Sequence, residues 1–343
     1  MPLALVTGAC GFSGSHMVEL LRSRGHEVLA TDLPGSDPSF VKSLGAEFLP
    51  SDVTRPETLG PLFQRSPDLL FHPASLFDYF APWEPLHRVN VVGMRNLCEA
   101  AADAGLKRFL HWSTLGVYGE TGLEKPADET APFNPPNLYS KSKVEQEKVA
   151  QEFVQKAGLP ITIMRPAPMY GPRNRYGMYH IYRLLAKTGT AYVPSIYPRH
   201  RRLRMPMVHV RDACGAALFL SETGVAKGEA YNAVNTMDFT VDEFMTYVAV
   251  ILGIPSLRVP IGWPMYKVVA DLMEYGARRF EEAARRKRVR PKFDLPMAEY
   301  ITHEYWFSNE KLKRAGYRFV YEDWRRGTRE AIEWYREQGW LPL

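Results

Sequence analysis

Residues Leu3 to Asp32 constrain this chain more than any other stretch. LALV is a short apolar run, too brief for a helix and suited to a strand buried on both faces. TGACGFSG follows and spaces Gly8, Gly11 and Gly14 three residues apart. HMVELLRSRG then reads as a helix, with Met17, Val18, Leu20 and Leu21 on its apolar side and Gly25 as its stop. EVLATD reads as a second strand ending in Asp32. A strand, a glycine-rich turn, a helix and a strand ending in an acid together make a dinucleotide site. Glycines let backbone approach a pyrophosphate, and a helix N-terminus offers free N–H groups and a positive dipole end. Gly8, Gly11, Phe12, Ser13 and Gly14 are the expected cradle. Asp32 suits the ribose hydroxyls of adenosine, and its charge repels a 2′-phosphate, so the expected cofactor is NAD rather than NADP.

The remaining composition sets outer bounds. A chain of 343 residues can bury a large core. Its hydrophobic fraction is 45%, with no apolar run of about 18 residues to span a membrane. The opening MPLALVTGACGFSG lacks the basic segment of a signal peptide, so a cytoplasmic protein is expected. Cys10, Cys98 and Cys214 are scattered, fit a reducing compartment and match no metal spacing, so no metal is expected. The net charge of +5 is mild, and no recognition fold for nucleic acid accompanies it.

Downstream, strands and helices alternate. GAEFLPSDV suggests a third strand ending at Ser51-Asp52-Val53, where Asp52 either meets an adenine amino group or caps the helix TRPETLGPLF. DLLFHPAS is a fourth strand whose Ala74 and Ser75 are small enough to let backbone lie beside a dinucleotide. LHRVNVVGMRNLCEAAADAG is a long helix with Asn90 among its apolar positions. That amide either bridges backbone near a nicotinamide or is a satisfied buried group. KRFLHWSTLGVYGE is a fifth strand and polar turn, NLYSKSK opens a helix, and PITIMRP is a sixth strand. This alternation predicts an α/β fold, a doubly wound parallel sheet of the Rossmann type.

Tyr139 and Lys143 lie four apart at the start of that helix, hence on one face. A phenol is a poor base at neutral pH by roughly three units. An ammonium beside it favours the phenolate and makes the pair a usable general acid–base. Ser113 and Thr114 fall at the C-terminal end of the fifth strand, where open α/β sheets bind ligands. A hydroxyl there can polarise a substrate oxygen.

Gly8/Gly11/Gly14, Asp32, STLGVYG, YSKSK and RPAPMYGP, in this order, resemble the extended short-chain dehydrogenases/reductases, the NAD-dependent epimerase/dehydratase superfamily. The resemblance covers most of the chain. It implies a catalytic set of Thr114, Tyr139 and Lys143, with Ser113 beside the substrate. Thr114 and Tyr139 would hold a substrate hydroxyl, Tyr139 would take its proton, and Lys143 would tune Tyr139 and anchor the nicotinamide ribose. Asp52, Val53, Ala74, Ser75, Asn90 and Pro166 join the expected cofactor contacts. A homodimer through the helices after the fourth and fifth strands is implied as well.

Substrate signals depart from the commonest members. Nucleotide-sugar epimerases and dehydratases usually read R-x-F-N-x-x-G-P after the sixth strand. Here Arg165-Pro166-Ala167-Pro168-Met169-Tyr170-Gly171-Pro172 puts Pro168 where the Asn belongs. In MPMVHVRDAC, Met205 stands where that pattern has a phosphate-binding Arg. RP, small residues and GP are more like the 3β-hydroxysteroid and sterol-4-carboxylate 3-dehydrogenases, which imply a bulky apolar alcohol such as a 3β-hydroxysterol. The expected substrate contacts are Ser113, Pro168, Met169 and Arg201. The arginines of PRHRRLR (198–204) leave a rival open, a nucleotide-sugar epimerase or dehydratase that holds its diphosphate through them. They equally suit a solvated loop. A non-catalytic, NAD-responsive binding protein is a third reading, disfavoured by the presence of Thr114, Tyr139 and Lys143.

Towards the C-terminus, VPIGWPMYKVVADLMEYGARRF places Met265, Val268, Val269, Leu272 and Met273 at amphipathic helical spacing, and EEAARRKRVRPK follows. Such a helix either packs in a core or dimer, or acts as a lid or membrane-surface element through residues 261–292, peripheral on an inner membrane face. The expected division is a cofactor domain of residues 1–167 plus 206–235, and a smaller, mostly helical substrate region of 168–205 plus 236–343.

Overall fold

The structure is a computed structural model that describes residues 2–122, 124–287, 289 and 295–342. Its strands are β1 (Leu3–Thr7), β2 (Glu27–Thr31), β3 (Glu47–Phe48), β4 (Leu69–His72), β5 (Arg108–Trp112), β6 (Ile161–Pro166), β7 (Met169–Tyr170), β8 (Ala191–Tyr197), β9 (Val208–His209), β10 (Ala230–Ala233) and β11 (Ser256–Gly262). Seven of them form one parallel sheet in the order β10-β6-β5-β4-β1-β2-β3. The chain winds outward from β1 to β3, then reverses across β1 to β4 and beyond. That reversal creates the crevice where doubly wound sheets take their ligands. The strand runs are apolar throughout because helices cover both faces. In β1, Ala4, Leu5 and Val6 are fully buried, as are Leu70 and Phe71 in β4.

Two apolar clusters sandwich the sheet. One gathers Val6, Met17, Leu110, Met164 and Ala217, the other Leu5, Leu70, Leu97, Phe109 and Ile161. Alternate residues of one strand feed opposite clusters, as a period of two demands. A third cluster joins Tyr182, Phe244, Trp324, Ile332 and Tyr335 from the helices Met178–Thr188, Val241–Leu252 and Trp324–Glu337. Phe307, Leu312 and Phe319, placed by the sequence in the substrate region, pack instead with the sheet.

Local structure departs from the sequence expectation in two places. The third strand is only Glu47–Phe48, and Ser51-Asp52-Val53 is a turn, because the Asp52 carboxylate accepts from Thr54 N and Oγ1. An Asx turn of this kind competes with ladder pairing. The long helix is continuous from Trp83 to Asp103 but π-helical over His87–Val92, a segment containing Asn90. No helix among the described residues is long and apolar enough to cross a membrane.

Candidate active site

The glycine turn is shaped by contacts that tolerate no side chain. Gly8 has φ of +60°, and a Cβ on it would stand 2.9 Å from Ala74 Cα. A Cβ on Gly14 would stand 2.0 Å from the Gly8 carbonyl oxygen. The helix Phe12–Ser23 therefore starts directly against the end of β1. Gly11 is its N-cap, no side chain caps it, and its first turn holds no acid. Phe12, Ser13 and Gly14 form that first turn, whose amides point where an anion is stabilised.

Asp32 is tied to the same turn. Cys10 N–H donates to its Oδ2 at 2.8 Å, and Leu33 N–H and Ser36 Oγ donate to Oδ1 at 2.8 and 3.2 Å. Oδ2, with a single donor, keeps acceptor capacity for a ribose hydroxyl. A cradle without side chains, an uncapped helix start and a fixed carboxylate all fit a dinucleotide. Asp52 is less free, being committed to its own turn. Val53 packs on Gly93, and its carbonyl accepts from Asn96 Nδ2 at 2.9 Å.

Asn90 is a satisfied structural amide. Its Oδ1 accepts from Ser75 Oγ (3.0 Å) and Leu76 N–H (2.7 Å), and its Nδ2 donates to Leu76 O (3.2 Å) and Ser142 Oγ (2.9 Å). It clamps the loop after β4 onto the helix Leu138–Ala157. That clamp brings the Ser75 hydroxyl to the Tyr139 phenol.

Tyr139, Lys143 and Thr114 lie where the sequence expected, at the C-terminal end of β5 and the start of the facing helix. Asn137 caps that helix by accepting from Ser140 N–H at 2.9 Å. Thr114 Oγ1 accepts from Gly116 N–H at 3.1 Å, so its own proton remains for a substrate oxygen. Ser113 is buried, and among the described residues its Oγ has no hydrogen-bond partner.

Lys143 differs from expectation. Its Nζ donates to the Trp112 carbonyl at 2.6 Å and to Gln146 Oε1 at 2.5 Å, rather than to Tyr139. Burial lowers its pKa to about 7, against the attraction of Glu147. Burial also pushes the Tyr139 phenol well above its ordinary value, opposed by the Ser75 hydrogen bond. Behind Lys143, Gln146 Nε2 lies 3.4 Å from His72 Nε2, and His72 Nδ1 lies 2.7 Å from Thr7 Oγ1. Burial holds His72 neutral, with its pKa lowered to about 3.

Two groups of residues were missed from sequence. Arg165 forms a buried pair with Glu147, Nε to Oε1 at 3.0 Å and Nη2 to Oε2 at 2.7 Å, and its Nη1 donates to Tyr118 Oη at 2.5 Å. The pair locks the Tyr139 helix to β6 and to the VYG turn. Its signal was a Glu four residues beyond Lys143. The second group is an aromatic wall. Phe77 meets Tyr139 at 5.0 Å between ring centroids and Tyr176 at 5.0 Å, and Tyr79 meets Tyr139 at 5.4 Å. These geometries are edge-on, as aromatic quadrupoles prefer. The aromatic run LFDYFAPW after β4 was the available clue.

The remaining expected contacts scatter. Pro166 ends β6 opposite Ala233. Pro168 is exposed, and its carbonyl accepts from Val208 N–H at 3.2 Å. Met169 Sδ accepts from Ser13 Oγ at 3.7 Å, beside the glycine turn. Met205 is buried in the helical cluster. The 198–204 loop is not a simple solvated run. Arg201 lies over Trp263 at 5.5 Å, Arg202 pairs with Asp242 at 3.2 Å, and Arg204 lies 3.9 Å from the Trp306 centroid and pairs with Asp238 at 3.4 Å. The helix Trp263–Lys287 also departs from a packing role for its large residues. It buries Tyr266, Ala270, Ala277 and Ala284, and exposes Met265, Val268, Val269 and Leu272. Of the basic run after it, Arg288, Arg290 and Lys292 lie outside the described residues.

Comparison with known proteins agrees with this geometry. The sequence model of the NAD dependent epimerase/dehydratase family matches residues 4–233. Sterol demethylase protein B of Methylococcus capsulatus is 26% identical, over 98% of this chain and 99% of that protein. UDP-glucose 4-epimerase of Mycolicibacterium smegmatis is 34% identical, over 50% of this chain and 57% of that protein. The structure of the Thermus thermophilus UDP-glucose 4-epimerase in complex with NAD superposes with a TM-score of 0.73 at 25% identity, covering 97% of this chain and 99% of that one.

Proposed function

Because this chain belongs to the NAD-dependent epimerase/dehydratase family, we propose that it oxidises a secondary alcohol on a bulky apolar substrate, foremost the 3β-hydroxyl of a sterol or steroid. The observation that carries this reading is the aromatic wall in which Phe77 and Tyr79 pack on Tyr139 and Tyr176 packs on Phe77. Flat aromatic faces bury apolar rings well. Pro168 and the buried Met205 support the same direction, since neither supplies a side-chain donor. The full-length similarity to a sterol demethylase component is consistent with it.

NAD, when bound, supplies the hydride acceptor. Gly8, Gly11 and the first turn from Phe12 to Gly14 would hold its pyrophosphate, and Asp32 its adenosine ribose. Thr114 Oγ donates to the substrate hydroxyl oxygen and fixes its orientation. Tyr139, as phenolate, takes the hydroxyl proton as the carbinol C–H bond breaks. The Lys143 ammonium, once it swings from Gln146, reduces the cost of that charge in a buried site. The ketone is the product. With a carboxylate on the neighbouring carbon, that ketone is a β-keto acid, which loses CO₂ readily.

NAD reduction by purified protein across sterols, steroid alcohols, 3-hydroxy acids and nucleotide sugars tests the proposal. Turnover of a sterol or steroid alcohol supports it, and turnover confined to nucleotide sugars overturns it. The second reading, a nucleotide-sugar 4-epimerase or dehydratase, is favoured by the similarity to UDP-glucose 4-epimerases. It requires the 199–204 arginines to leave Trp263, Asp242 and Trp306. An Arg201→Ala/Arg202→Ala variant abolishes UDP binding under that reading; under ours, UDP binding is undetectable in both proteins.

A further inference from the structure

We propose that the outward face of the Trp263–Lys287 helix docks on a lipid bilayer bearing anionic headgroups. Amphipathic helices normally turn their large apolar residues inward, yet this one does the reverse. Its inward side is made of Ala270, Ala277 and Ala284 with Tyr266 at one end, small residues that let it lie close to the body. Met265, Leu272, Tyr275 and Phe280 are 60%, 65%, 63% and 67% exposed, with Val268 at 53%. Val268, Leu272 and Tyr275 recur at spacings of four and three, so they share one side, with Met265 and Phe280 flanking it. Six large apolar side chains in water on a single helix, Val269 included, exceed scattered surface hydrophobics and mark an interaction site.

Charge selects the occupant. The same side continues into Arg279 and Arg286, and Arg285 and Lys287 complete a basic C-terminal end. Of the four acidic residues on the helix, Asp271 and Glu282 are exposed, and Glu282 pairs with Arg279 at 3.2 Å. The cationic excess therefore lies in Arg285, Arg286 and Lys287; the other two acids face elsewhere. Glu274 accepts from Thr302 Oγ1 at 2.8 Å and pairs with His303 at 3.0 Å, and Glu281 accepts from Leu295 N–H at 2.9 Å, both toward the helix Leu295–Thr302. An apolar stripe with cations along its edge, on a helix roughly 37 Å long, is the pattern of a helix lying in the headgroup plane. The patch extends past the helix. β11 leads straight into it with Leu257 and Val259 exposed, and the exposed Tyr197 of β8 lies against Gly262.

This surface adjoins the mouth of the site. Arg285 stacks over Phe80 at 4.2 Å, on the loop whose Phe77 and Tyr79 wall Tyr139. An apolar molecule leaving the bilayer beside this helix would meet that loop first. The docking itself does not rest on the substrate proposed above.

The test is flotation of the purified protein with phosphatidylcholine vesicles, with and without phosphatidylglycerol, in the absence of any substrate. The wild type should float with the anionic vesicles, less so as salt rises, and stay behind with neutral ones. Leu272→Glu/Phe280→Glu, at exposed positions, should weaken that binding by at least about tenfold while leaving NAD affinity unchanged. Arg279→Glu/Arg286→Glu should do the same through charge alone. Absence of flotation with anionic vesicles, or equal flotation with neutral ones, overturns the proposal. So does light scattering in which the apolar variant splits a wild-type oligomer, because the face is then an interface between copies. A negative sterol screen leaves the vesicle result untouched, so the two proposals fail separately.

Discussion

Arg165 grips Glu147 through two nitrogens, four residues beyond Lys143 on the helix that carries the chemistry. Both partners are almost fully buried, with side chains 6% and 3% exposed. Breaking such a pair strands one charge in the interior. Glu147→Gln should lower unfolding free energy by about 3–5 kcal/mol, read by urea denaturation. Replacing both residues with apolar ones of similar volume should cost much less.

Gly14→Ala puts a methyl 2.0 Å from the Gly8 carbonyl oxygen, so the helix must withdraw from the turn. The pyrophosphate cradle opens with it. NAD affinity, measured by calorimetry, should fall by at least about tenfold, with a stability loss of about 1–3 kcal/mol. Gly35→Ala, where a Cβ meets nothing within 4 Å, leaves NAD affinity intact despite its φ of +94°.

Tyr139→Phe removes the proposed proton acceptor and keeps the ring packed on Phe77 and Tyr79. Turnover should drop about 10²–10⁴-fold with NAD binding retained. If Lys143 anchors the nicotinamide ribose as the family resemblance implies, Lys143→Met should reduce turnover and also weaken NAD binding. Equal NAD affinity in the two variants would contradict that second role.

Phe77→Ala should raise KM for an apolar alcohol more than it lowers kcat, since the ring contributes wall and no proton chemistry. A truncated apolar substrate that never reaches Phe77 should show no difference between variant and wild type.

Acid should destabilise the fold through buried histidines. Burial lowers His16 to about 4 and His72 to about 3, and holds His111 and His209 well below the ordinary value. In the unfolded chain all four titrate near pH 6.5. Below that pH the unfolded chain binds protons that the native state refuses, so stability present above about 6.5 is lost on acidification. The loss runs down to about 4 for His16 and 3 for His72, approaching about 1.4 kcal/mol per pH unit for each histidine. Denaturation midpoints between pH 7 and 5 measure the slope. His72→Gln should flatten it.

The sequence by itself determined what depends on local spacing. Three glycines and an acid between two strands specify a cofactor cradle, since only backbone geometry and one carboxylate are needed there. A four-residue interval puts Tyr139 and Lys143 on one face because helices repeat near that period. Which way those side chains turn depends on partners distant in the chain. Lys143 is drawn to the Trp112 carbonyl, and Asn90 to the loop after β4, contacts that no periodicity announces. The arginines of 198–204 looked free only because Trp263, Asp242 and Trp306 are remote in sequence. The helix Trp263–Lys287 makes the same point most clearly. Its pattern told that one side is apolar, and only packing decided that this side faces out. Alanines at every seventh position fit closer to the body than Leu272 or Phe280 would, so the larger residues were left at the surface.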